Sequence, residues 1–136
     1  EKSQLKELLK QGLETTQAAA EASSLMDEVE EPFLTGIELE GAEATDAIAK
    51  CKSVWKIVET KVSAAKSFLK AKLGELKRFS AENQEAARGE LADLATRVET
   101  ASQKLNEFKK DTSERETAIV LKEVVAKVTT AETSIQ

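Results

Sequence analysis

Histidine and tyrosine are missing from this chain of 136 residues, and cysteine, proline, methionine and tryptophan occur once each. Without histidine and with a single thiol, Cys51, the paired groups of nucleophilic catalysis and the usual zinc-ligand sets are excluded by inventory. One cysteine also forms no internal disulfide, so nothing implies a stapled secreted scaffold, and an intracellular compartment is the expectation. The five glycines, at positions 12, 36, 41, 74 and 89, are isolated and make no phosphate-cradling loop. Aromatic residues are 4% of the chain, arginine is scarce and the net charge is -5, which argues against a nucleic-acid partner. No run approaches the roughly 20 apolar residues of a membrane span. The chain opens on a glutamate and carries no signal-like segment there, so it is read as a fragment, a processed form or one unit of a longer protein.

What is present is helical. Charged residues are 33% and hydrophobic residues 40% of the chain, with alanine prominent among the small ones, the profile of a helical bundle. The expectation is a single all-α domain: an elongated antiparallel bundle of about four helices with coiled-coil-like seams, near residues 3–30, 37–79, 82–110 and 114–135. A four-three alternation runs through Leu5, Leu9, Gly12, Thr16, Ala19, Ser23 and Met26, and Pro32 with Gly36 then predicts a turn. The alternation restarts through Ile37, Gly41, Ala44, Ile48, Cys51, Trp55, Val58, Val62, Ala65, Leu69, Lys72, Leu76 and Phe79. A third seam, Ala87, Leu91, Leu94, Val98, Ala101, Leu105 and Phe108, is out of phase by one residue. That favours a break with Ser80 as N-cap over a stutter in one long helix. In KKDTSERE, Lys109 and Lys110 suit a helix C-terminus and Ser113 with Glu116 fits a capping box, so a fourth helix is expected through Leu121, Val124, Val128, Ala131 and Ile135. Residues 54–69 laid over 120–135 match Val, Lys, Val, Lys, Val and Ala at the same places, which suits a unit of a longer array. The helices of 37–135 with Trp55 on a seam resemble spectrin-like three-helix repeats in a general way. The mid-helix place of that tryptophan and the unequal helix lengths depart from the pattern, and no family is assigned.

Charge is sorted along the chain. Residues 14–46 hold ten acidic residues and no basic one, whereas residues 50–78 hold nine basic residues against Glu59 and Glu75. The folded rod should therefore have a negative tip at the Pro32 turn and a more positive middle or opposite end. Two readings of the lysines follow. Their stems can cover the edges of a wide apolar face with the ammonium groups in water, or they can dock an anionic partner. The residues placed for such docking are Lys52, Lys56, Lys61, Lys66, Lys70, Lys77 and Arg78, with Phe33 and Leu34 as a small apolar contact in the turn.

Chemistry is not expected. Glu28 with Glu31 and Glu40 with Glu43 have helical spacing, but no histidine and no alternating oxygen ligands accompany them, so no metal site is assigned. Cys51 and Trp55 lie on a seam, where they read as core. The chain is expected to be a non-enzymatic structural or scaffolding module without cofactor or small-molecule substrate, acting through a protein partner or self-association. The alternative is a peripheral module that binds an anionic membrane or filament surface through residues 50–78.

Overall fold

A computed structural model describes the backbone of residues 2–135 and the side chains of residues 2–128. The chain is all-helical, with no strand among the described residues, and it has three long helices where about four were expected. They are α1 (Lys2–Leu34), α2 (Gly41–Glu75) and α3 (Ala81–Ile135), with a short 3-10 turn over Leu76–Arg78. They run up, down and up, and each touches both others.

The first correction lies at Pro32. Proline lacks the N–H of the helical ladder, which predicts a stop near residue 30, yet α1 continues through it to Leu34. Proline at this place removes the ladder bond to the Glu28 carbonyl, and the helix ends two residues later. Thr35 then donates its hydroxyl to the Pro32 carbonyl at 3.2 Å. Gly36 takes φ +81 and Gly41 φ +56, so the reversal occupies residues 35–40 instead of 31–36. Ile37, expected on the seam of the second helix, is 73% exposed in this connection.

At the other end the chain breaks at Ser80. Phe79 is extended, the Ser80 hydroxyl accepts from the Asn83 N–H at 3.3 Å, and the Ser80 carbonyl accepts from the Gln84 N–H at 2.9 Å. That is an N-cap in the usual sense.

The second correction concerns residues 110–113, where a fourth helix was to begin. α3 passes through without interruption and is 55 residues long, about 82 Å at 1.5 Å per residue. No glycine or proline follows Gly89, so nothing in the sequence compels a break. Thr112 is fully buried and Arg115 and Ile119 are half-buried, and they continue the core-facing side after Phe108. Lys109, expected at a helix end, instead lies over the Trp55 ring at 5.2 Å and pairs with Glu59.

The core is one continuous cluster. α1 gives Leu5, Leu8, Ala19, Ala22 and Met26; α2 gives Cys51, Val58, Val62, Ala65 and Leu69; α3 gives Ala87 through Phe108 at the expected seam positions. Each fully buried leucine contributes about 2 kcal/mol by its removal from water. Gly12 marks the closest approach: a Cβ there would lie 3.2 Å from Leu94, 3.6 Å from Leu69 and 3.7 Å from Leu91. A larger residue would push α1 off both neighbours.

Candidate functional site

The nine residues read from the sequence as a partner surface do not come together. Lys52 is bonded to Glu116 at 2.6 Å, and Lys66 donates to the Ser102 hydroxyl at 2.8 Å and lies 3.9 Å from Glu99. Both therefore brace α2 against α3. Lys56, Lys61, Lys70, Lys77 and Arg78 are exposed and have no ion-pair partner among the described residues. Lys56 and Lys61 are five residues apart, about 140° around the helix, so they share no stripe. Phe33 is half-buried beneath the Arg115 guanidinium, 5.0 Å from its ring centre, whereas Leu34 is exposed.

The acidic run finds cations on α3. Asp27 pairs with Lys104 at 2.8 Å and Glu30 with Arg115 at 2.9 Å, while Glu38 and Glu40 share Lys122 at 2.6 and 2.9 Å. Hydrogen bonding to Lys122, with its charge, holds the Glu40 carboxyl below the usual glutamate range; bonding to Glu38 and then Glu40 raises Lys122 in turn. The third long helix thus supplies the complement that the hairpin of α1 and α2 lacks. Asp46 pairs with Lys50 within α2, and Glu14, Glu21, Glu28, Glu31 and Glu43 have no ion-pair partner among the described residues.

A surface whose apolar spacing predicts core is exposed. Since Arg115 reaches Glu30 and Phe33 in the last turns of α1, the part of α3 after it lies beyond the end of that helix. Ile119, Glu123 and Ala126 face the first residues of α2 and the connection before it, lining shallow clefts with Ile48, Leu39 and Gly41. On the remaining side Leu121, Val124, Val125 and Val128 form an apolar stripe at helical spacing, each at least half exposed. Ala131 and Ile135, the last expected seam positions, lie outside the described side chains. The signal for exposure was present in the sequence only indirectly: α1 is too short to reach these residues.

At the far end of the rod, α1 and α3 leave a groove of ≈ 600 Å³ floored by Leu9, Leu13 and Leu94 and edged by charges of both signs, Lys6 and Lys10 from α1 and Glu90, Asp93 and Arg97 from α3.

No group of three or more metal-ligating side chains occurs among the described residues. Cys51 is fully buried, its thiol donates to the Val29 carbonyl at 3.5 Å, and burial pushes its pKa up, away from the reactive thiolate. Among the described residues no helix is long and apolar enough to cross a membrane. No family model matches the chain, and no curated protein or solved structure shows significant similarity to it.

Proposed function

We propose that this chain is a non-enzymatic structural or scaffolding module that acts by protein–protein contact, and that the contact face is the outer stripe of α3. The observation that carries the reading is the stripe itself. Leu121, Val124, Val125 and Val128 are contiguous and uncovered on a long helix whose opposite side is already occupied, and such a patch marks an interaction site. The many ion pairs between helices support a stiff rod that holds the face at one end.

The test is to substitute Val124→Asp and Val128→Asp together. For exposed positions the thermal stability should stay within about 0.5 kcal/mol of the parent, while association with a partner is lost. A large fall in stability would mean that the stripe is core, and would overturn the reading.

A second reading keeps the basic helix as a docking surface for an anionic membrane or filament. It is favoured by five exposed cations that have no ion-pair partner among the described residues, Lys56, Lys61, Lys70, Lys77 and Arg78. Co-sedimentation with anionic lipid vesicles at low and high salt tests it, because such binding must weaken as salt rises.

A further inference from the structure

The last two turns of α1 are held down differently from its first. At the N-terminal end the bundle is closed by large apolar side chains, with Leu5, Leu8, Leu69, Leu76, Phe79 and Leu91 all buried. Beyond Met26 the packing changes. Val29 and Phe33 are only half-buried and Leu34 is exposed. The Cys51 thiol and, next to it, the Thr112 hydroxyl are fully buried at this level, where the other layers carry apolar side chains. The contacts made by α1 here are polar instead. Its Val29 carbonyl accepts from the Cys51 thiol at 3.5 Å, and its Glu30 is held by Arg115 at 2.9 Å, with the guanidinium over Phe33.

The segment is also weak in itself. Pro32 removes the ladder bond to the Glu28 carbonyl, and Glu28, Glu30 and Glu31 put negative charge at the negative end of the helix dipole. Few buried apolar contacts and a poorly bonded backbone are the marks of a region that opens below the global unfolding free energy. What opposes the opening is chiefly one cation from α3.

We infer that residues 28–34 form a flap over Cys51, latched by Arg115, which opens as a local unit while the leucine-packed end of the bundle stays folded. Opening breaks the Glu30–Arg115 pair and the bond from Cys51 to the Val29 carbonyl, and it uncovers Phe33. The flap is a conformational device built into the fold, and it does not depend on the reading of the α3 stripe.

Cys51 is the only thiol of the chain, so its labelling reports the opening. The full-length protein is treated with excess aromatic disulfide reagent in dilute solution, and the rate is compared with that of the urea-unfolded chain. A flap exposes little surface, so the parent's rate should be nearly independent of urea up to the foot of the unfolding transition. Arg115→Ala should speed labelling about 30-fold, and Arg115→Lys less. Leu76→Ala, at the other end of the rod, should leave the rate within about twofold of the parent. A rate that rises with urea as steeply as global unfolding, or that climbs about 30-fold or more in Leu76→Ala, overturns the inference, because Cys51 is then reached only when the whole bundle unfolds. An Arg115→Ala chain that labels no faster than the parent overturns the latch. The urea series uses the parent alone and decides between local and global opening whether or not a variant folds.

Discussion

Arg115 of α3 meets Glu30 of α1 at 2.9 Å and covers Phe33 with its guanidinium, and both partners of this ion pair are largely shielded from water. The contact solves a local problem in α1. Its last turns carry Glu28, Glu30 and Glu31 with no basic residue, the wrong charge for the negative end of a helix dipole. The cation that belongs there comes from another helix, 85 residues along the chain.

Removing that cation should be costly. Arg115→Ala is expected to lower stability by about 2 kcal/mol, because a partly buried carboxylate loses its hydrogen bond and Phe33 loses its cover. Arg115→Lys should lose less, keeping the charge but not the planar stacking. Urea denaturation followed by circular dichroism checks both, and equal losses would contradict the role of the ring.

Thr112 is a counter-example in the same helix. Its hydroxyl is fully buried, and the polar group set against it is the Cys51 thiol, a weak hydrogen-bonding partner. Thr112→Val keeps the shape and removes this poorly satisfied group, so the chain should gain about 1 kcal/mol in urea denaturation. A loss would mean that the hydroxyl is satisfied in solution.

Two glycines should respond in opposite ways. Nothing lies within 4 Å of a Cβ added at Gly74, so Gly74→Ala should stabilise α2 by about 0.5–1 kcal/mol. At Gly12 three leucines surround the position, and Gly12→Val should cost about 1–3 kcal/mol by overpacking. Thermal melts of the two variants should bracket the parent.

Acid sensitivity can be read at Trp55, whose indole N–H donates to Glu59 at 3.2 Å. The hydrogen bond from Lys109, then that from Trp55, holds the Glu59 carboxyl below the usual glutamate range. A group depressed in this way contributes stability above its unfolded pKa, and the contribution is lost as pH falls through the folded value. The fluorescence of the only tryptophan should therefore change with a midpoint below that of an ordinary glutamate, and Lys109→Met should move the midpoint upward. The link from Glu40 to Lys122 obeys both signs: it is lost in acid as Glu40 protonates below its ordinary range, and in base as Lys122 deprotonates above its own.

Much of the core was legible because apolar spacing reports which positions share a helix face. From Ala44 to Phe79 and from Ala87 to Phe108 the apolar seam positions are buried, apart from Trp55, which is half-buried. After Phe108 the core side passes through Thr112 and Arg115, which an apolar pattern does not register. The more hydrophobic residues, Leu121, Val124 and Val128, sit on a different side, although their spacing predicts core. Spacing says nothing about what covers a face, and here α1 ends too early to cover it. The charges failed as a site for a related reason. Ion pairs between α3 and the acidic run join residues 77 to 85 positions apart, a pairing that no local count of charge reveals.

The central claim is that α3 is one unbroken helix, since only then does its stripe stand outside the bundle. Spin labels at Glu90 and Lys127, in a Cys51→Ala background, test it by a pulsed dipolar distance in dilute solution. Thirty-seven residues of continuous helix place the labelled backbone positions about 55 Å apart. A separation near 20 Å or less would mean that the chain folds back near residues 110–113, that the stripe is buried in a fourth helix, and that the account is wrong.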